Sequence, residues 1–317
     1  MEPLVMQPCV TSRRSKILHI GYGRVEAHIF DALEAAGGLV WLDETQFGWD
    51  YRLWFGWPRA WMVGQKGAQD CVIHTMFESE TEPHGWVDVL NRFALVWTPS
   101  QWCREMFIEW GVRRPIMVSG YGADPIEFPY RRRTLDGQFT FMTLGHDVEG
   151  RKGVAQTLEQ FALLQHKGEL KDAKLIVKTQ KGLIKGLKVP EGISIEFIFG
   201  TMSQEEYAAL LQQAHVLVYP QAAEGFGLIP LEFMCTGGAV AVTAYSGCLE
   251  YLRDGCSYLL PKAVSDGDLS EWMVWAYRNR ADVLATAERG AEYVHSEWTW
   301  SLAGLRARRL LHEHLGR

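Results

Sequence analysis

Residues 216–252 read VLVYPQAAEGFGLIPLEFMCTGGAVAVTAYSGCLEYL. The apolar run Val216-Leu-Val-Tyr219 has the composition of a buried parallel strand, and Pro220 ends it. A loop holding Glu224, Gly225 and Gly227 follows. A short helix is predicted to open near Leu228 and to stop at Gly237-Gly238. Pro230 suits its first turn, where the missing N–H has no partner to lose. The glycine pair suits a left-handed C-cap. Ala239-Val-Ala-Val-Thr243 then completes a βαβ unit. The two loop glycines allow a ligand close approach to backbone N–H groups. The helix start offers unpaired donors and a partial positive charge to a phosphate. Glu224 and Glu232 bracket that anion site. A carboxylate accepts both hydrogen bonds of a vicinal diol, so this pair fits a nucleoside-diphosphate sugar. An ordinary βαβ turn with two incidental glutamates is the alternative, and it leaves four features at fixed spacing without a cause.

The run Glu224-Gly225-Phe226-Gly227-Leu228 through Glu232, with Gly237 and the Ser246-Gly247-x-x-Glu250 stretch behind it, resembles the Glu-x7-Glu signature of family 4 retaining glycosyltransferases. That resemblance implies an α/β chain of GT-B fold, two Rossmann-like domains with a cleft between them. Pro99-Ser100, Trp102, Gly111-Val112, Gly122, Asp124 and Phe128 are similar to the family's passage into the second domain. Residues 145–153, GHDVEGRKG, resemble the segment G-R-x-x-x-x-R-K-G, whose first Arg and Lys neutralise the donor diphosphate. Lys152 keeps the Lys. His146 stands where the family has the first Arg, and an imidazole is neither a rigid fork nor permanently charged. Arg151 and Lys178 are the candidates to compensate, although Arg151 also reads as a solvated helix-entry charge.

The roles the resemblance implies are specific. Glu224 meets the donor sugar hydroxyls or the charge developing on the ring, and Glu232 holds the ribose diol. Gly225, Phe226, Gly227 and Leu228 form the phosphate-binding turn. Lys152 and helix N–H groups stabilise the leaving diphosphate, so no metal and no further cofactor are expected, with UDP- or GDP-sugars as donors. His74, after the strand Cys71-Val-Ile-His74, is expected to point at the donor sugar; local hydrogen bonding is its plainer reading. Glu78 is a weaker neighbour. Gly21 and Gly23 follow the strand Ile17-Leu-His-Ile20 in a G-x-G-x-x-E loop before a helix over 25–36. The family's equivalent loop touches the donor phosphate or the acceptor, whereas a nicotinamide cofactor would want G-x-G-x-x-G. The nucleobase is expected near Gly200-Thr201-Met202, ahead of a helix capped by Ser203 and Glu206.

The organisation expected is a loose tail over 1–15, an acceptor domain over 16–130, a donor domain over 131–297, and a C-terminal helix over 298–317 returning to the first domain. Trp41, Trp49, Trp54, Trp57 and Trp61, with Phe47, Tyr51 and Phe55, form either an aromatic sub-core or an acceptor platform. Ser100 and Gly111 are expected caps of the helix QWCREMFIEWG. Arg131-Arg-Arg133 reads as a solvated linker face or, more sharply, an acceptor-steering patch. Asp266-Gly267-Asp268 resembles a metal-holding D-x-D triplet, but Asp268 or Ser270 as a helix N-cap is the better account.

Composition bounds these readings. The 317 residues suit two domains, and 47% hydrophobic content supports real cores. A net charge of −6 argues against a general nucleic-acid binder and leaves an acidic acceptor met by a local basic patch open. The six cysteines form no C-x-x-C pair, as expected of reduced buried thiols in a cytoplasmic enzyme. No apolar run reaches the roughly 18 residues of a membrane span. The reaction expected is metal-independent hexosyl transfer to an acceptor hydroxyl with retention. A catalytically inactive nucleotide-sugar-binding scaffold, or an epimerase or phosphorylase on the same fold, are the alternatives.

Overall fold

The structure is a computed structural model of the chain, describing residues 21–37, 52–59, 71–145, 150–179 and 191–315. The described elements begin with α1 (Gly21–Ala35), β1 (Arg52–Phe55), β2 (Cys71–His74), α2 (Trp86–Leu90), β3 (Leu95–Thr98), α3 (Gln101–Trp110) and β4 (Ile116–Val118). They continue with β5 (Phe139–Leu144), α4 (Val154–His166), β6 (Ala173–Lys178), β7 (Ile195–Ile198), α5 (Gln204–Leu211), β8 (Val216–Tyr219), α6 (Leu228–Cys235) and β9 (Ala239–Thr243). A 3-10 turn over Ser246–Glu250 precedes β10 (Tyr258–Leu260), α7 (Asp266–Arg278), α8 (Arg280–Glu297) and α9 (Trp300–Leu315). The chain divides into unit 1, Met1–Gly122 with Trp298–Arg317, and unit 2, Ala123–Glu297.

The described strands of unit 1 run parallel in the order β1-β2-β3-β4. β2 and β3 are buried along their whole length, which is why both read as unbroken apolar runs. Ile73, Val96, Phe93 and Phe107 join their core. Ser100 caps α3 by accepting the Cys103 N–H at 3.2 Å, and Gly111 closes it at φ 107°. α9 lies against α1 so tightly that a Cβ on Gly304 would meet the Ala32 carbonyl at 2.5 Å. Arg306 fastens the same helix by donating to the Ser119 carbonyl at 2.9 Å. The strand expected at 17–20 lies outside the described residues. Gly21 and Gly23, expected in a loop, instead fall in the first turn of α1.

Unit 2 is a parallel sheet in the order β10-β9-β8-β5-β6-β7. The chain runs outward from β5 to β7 on one side and from β8 to β10 on the other. The order therefore reverses between β5 and β8. In parallel sheets, loops leaving the carboxyl ends of strands at such a reversal diverge and leave a crevice. The segment after β5 carries Gly145 and residues 150–153 and the loop after β8 carries residues 220–227, so topology alone brings these described residues to one place.

Two expectations in unit 2 are corrected. The helix expected to have Asp268 or Ser270 as its N-cap starts at Asp266, with Ser265 as its N-cap. Ser265 accepts the Asp268 N–H at 3.1 Å and Asp268 accepts the Ser265 N–H in return, a capping box that the D-x-D reading concealed. Arg133 is not part of a solvated face. It is buried and donates to the carbonyls of Ala214 at 2.9 Å, Leu211 at 3.2 Å and Thr236 at 2.7 Å, tying the carboxyl ends of α5 and α6 together. Burial lowers its pKa to about 10. Phe226 is a core side chain, 1% exposed and packed on Tyr251 at 5.2 Å, so only its backbone is available to a ligand. Among the described residues no helix is long and apolar enough to cross a membrane.

Candidate active site

Glu224 is the centre of the divergence between β5 and β8. Its side chain is 5% exposed, and three groups converge on Oε1. Tyr219, the last residue of β8, donates its hydroxyl at 2.8 Å. Arg151 donates Nη1 at 3.4 Å, and the Lys152 ammonium makes the closest contact. A carboxylate buried to this extent requires compensating charge and hydrogen bonds, and the loop after β5 supplies both. Lys152 reaches the position because Gly145 has no side chain; a Cβ there would lie 2.9 Å from the Lys152 stem. Gly153, at φ 68°, turns the loop into α4, and its Cβ would strike Pro220 at 2.5 Å.

The backbone of Glu224 is pinned from the segment after β9. Its N–H donates to Ser246 Oγ at 2.9 Å, and its carbonyl accepts the Gly247 N–H at 2.9 Å. Ser246 Oγ donates in turn to Gln221 Oε1 at 3.4 Å. Ser246 adopts φ 64°, the single positive-φ residue other than glycine among the described residues. That conformation costs about 1–2 kcal/mol for an L-residue. Gly247 passes so close to Gly225 that a Cβ would sit 2.2 Å from its carbonyl oxygen. The S-G-x-x-E stretch thus has a local physical role: it clamps the loop that carries Glu224.

Eight residues on, Glu232 lies within α6 and is 3% exposed. Its Oε2 accepts the Tyr207 hydroxyl from α5 at 3.3 Å. α6 opens at Gly227, φ 83°, with no side-chain cap on its first amides. A Cβ on Gly227 would meet the Cys248 sulfur at 2.3 Å, so this turn requires glycine for space as well as for conformation. Pro230 is the third helical residue, where its missing N–H has no intrahelical partner. The arrangement presents backbone donors and two carboxylates, with a lysine and an arginine held against the first.

The remaining expected residues are dispersed. His146 lies outside the described residues. Lys178 ends β6 and donates to the Gly200 carbonyl at the turn before α5, and burial lowers its pKa. His74 lies wholly inside unit 1, with no exposed surface. Phe55 stacks on its ring at 4.5 Å, Trp97 meets it edge-on at 4.6 Å, and the Tyr121 hydroxyl approaches Nε2 at 3.3 Å. Burial pulls its pKa from 6.5 to about 3, leaving a neutral imidazole. Trp41, Trp49 and Trp61 are outside the described residues. Trp54 packs on the unit 1 core, while Trp57 is 50% exposed with Arg59 over its ring at 5.8 Å. Asp266 and Asp268 sit in the first turn of α7, where Gln156 donates to Asp266 at 3.0 Å.

Tyr219, Tyr207, Ser246 and Gln221 belong to the cluster; Ser246 opens the S-G-x-x-E stretch, and sequence reasoning does not single out the other three. Tyr219 has a legible signal, the carboxyl end of a buried strand, the usual place for ligand-facing groups. Tyr207 and Gln221 have no local signal, since each acts on a segment brought to it by the fold.

The family pattern described as "glycosyl transferases group 1" matches residues 132–293, half of the chain and nearly all of unit 2. An uncharacterized glycosyltransferase of Methanocaldococcus jannaschii is 26% identical over 142 residues, covering 45% of this chain and 39% of the relative, so less than half of that relative's length is matched. Among solved structures, a sucrose-phosphate synthase from Thermosynechococcus elongatus is similar with a TM-score of 0.68 at 17% identity, over 96% of this chain and 80% of that one. Anabaena HepE, solved in complex with UDP and glucose, is similar with a TM-score of 0.70 at 15% identity, over 96% of this chain and 98% of that one. These likenesses establish the GT-B fold, built from two Rossmann-like α/β units. With the switch-point crevice and the matched segment coinciding in unit 2, the chain belongs to the group 1 glycosyl transferases.

Proposed function

We propose that the chain is a retaining glycosyltransferase of the family 4 type, moving a hexose from a nucleoside-diphosphate sugar to an acceptor hydroxyl without a metal. The observation that carries this is the pair of buried carboxylates, Glu224 and Glu232, beside the uncapped start of α6 with Lys152 and Arg151 against the first. Unit 2 is assigned to the donor and unit 1 to the acceptor. The complex of HepE with UDP and glucose supports a UDP-sugar as the first donor to try.

In this reading the pyrophosphate lies on the amides of Gly225–Leu228, near Lys152. Glu232 accepts the two ribose hydroxyls. Glu224 accepts sugar hydroxyls, and its negative charge favours the positive charge developing on the ring. The bond from the anomeric carbon to the diphosphate oxygen breaks, with its electron pair remaining on that oxygen. The acceptor oxygen bonds the same face of the carbon, and its proton passes to the departing phosphate. Preorganised donors that strengthen as charge develops are worth about 10²–10³ in rate each. Lys152, Arg151 and the α6 amides are assigned that part, with Lys178 and His146 as further cations. His74, neutral and enclosed, is assigned to shaping unit 1 rather than to proton transfer. Trp57 is the indole assigned to the acceptor.

The test is calorimetric titration with UDP, GDP and ADP, followed by transfer or donor hydrolysis with the matching sugars and NMR assignment of the product anomer. One nucleoside diphosphate is expected to bind at micromolar concentration, with Glu232→Ala weakening it at least tenfold and the anomer retained. Binding of none of the three, or an unchanged Glu232→Ala variant, overturns the reading.

A further inference from the structure

Glu232 acts, in the proposed function, through the orientation of a buried carboxylate, and a phenol from a neighbouring helix meets that carboxylate. Tyr207 on α5 places its hydroxyl 3.3 Å from Glu232 Oε2. The two helices carrying the pair are locked at their carboxyl ends. Arg133 bonds Leu211 and Ala214 at the end of α5, and both the carbonyl and the hydroxyl of Thr236 at the end of α6. The Tyr207 ring has a seat of its own, edge-on against Phe128 at 5.9 Å. Phe128 is tied to α6 through the Cys235 thiol, which donates to the Phe128 carbonyl at 3.4 Å. The phenol is thus held against the carboxylate by a ring contact whose partner is itself tied to α6.

We propose that Tyr207 is a positioning residue that turns the Glu232 carboxylate towards a cis-diol, and so sets the preference of the site for ribonucleotides over 2′-deoxyribonucleotides. This rests on the nucleotide-sugar reading of Glu232. A carboxylate has about four lone-pair directions. A phenol donating to one of them restrains rotation about the last side-chain torsion, which is otherwise broad. The carboxylate then meets both ribose hydroxyls without first losing that freedom. A 2′-deoxyribose offers one hydroxyl and gains little from the restraint.

The experiment compares UDP with 2′-deoxyuridine diphosphate, with the GDP and ADP pairs alongside, by calorimetry on the wild type, Tyr207→Phe and Glu232→Gln. The phenol donates to a charged group, so Tyr207→Phe is expected to weaken ribonucleotide binding about tenfold. Binding of the deoxyribonucleotide should change less than threefold, so the ribose preference collapses. In the Glu232→Gln background, Tyr207→Phe should add little. If both nucleotides weaken equally, or neither does, Tyr207 has only a packing role and the proposal is wrong. If Tyr207→Phe yields no folded protein, Tyr207→Met carries the same comparison, and the same two results decide it. Wild-type protein that binds no nucleoside diphosphate overturns the nucleotide-sugar reading itself, an outcome distinct from an unaltered ribose preference.

Discussion

Protonating His74 is expected to destabilise unit 1 by a calculable amount. Its ring is fully enclosed by Phe55, Trp97 and Tyr121, and burial depresses its pKa from 6.5 to about 3. Between those two values the unfolded chain binds a proton that the folded chain does not. Stability therefore rises with pH across this window and is lost as pH falls below 6.5. For an ordinary pKa of 6.5 in the unfolded state, lowering the pH from 7 to 5 costs about 2 kcal/mol from this group alone. The figure hardly depends on the folded value, because an imidazole shifted this far down stays neutral at pH 5. His215 in unit 2 is also shifted down by burial and adds a loss of the same sign. The measurement is therefore a difference: urea unfolding of wild type and His74→Gln at pH 7 and pH 5. The wild type should lose about 2 kcal/mol more than the variant over that interval. A His74 imidazole resonance titrating near pH 6.5, or parallel losses in the two proteins, would refute the argument. It would also restore His74 as a group able to charge near neutrality.

Three other outcomes are expected. Lys152→Ala removes the ammonium from Glu224 and should lower transfer about 10²–10³-fold; turnover within threefold of wild type contradicts the leaving-group assignment. Arg133→Lys replaces a fork bonded to α5 and α6 by an ammonium unable to span both, and should cost about 2 kcal/mol in urea unfolding, a loss that a solvated arginine would not produce. Ser265→Ala deletes the cap of α7 and should cost about 1 kcal/mol. Ser270→Ala, which loses a half-buried bond to Gln160, should cost less, and the reverse order would reject the capping assignment.

The elements readable in advance share one property: their cause lies within a few residues. β8 and β9 are unbroken apolar runs because both faces of a parallel strand are covered. Ser100 and Ser203 bond amides three residues ahead, so the caps of α3 and α5 are written locally. β1 is hidden in an aromatic stretch, because Arg52–Phe55 becomes a strand only by pairing with β2. β10, over Tyr258–Leu260, likewise depends on β9. The start of α7 is easily misplaced because the Asp pair draws attention from Ser265, three residues before the carboxylate that completes its box.

From the chain alone came two glutamates around a glycine turn and a helix start, a lysine after the preceding strand–loop segment, and a membership that needs both. Which groups meet those glutamates was decided only by the tertiary structure. Lys152 on Glu224, Tyr207 on Glu232, Ser246 in a left-handed turn behind the loop, and Arg133 under two helix ends are contacts between segments that have no shared period or spacing. Local signals record short-range hydrogen bonds and burial. The partners of a buried charge are chosen by where strand order reverses, and that is a property of the folded sheet.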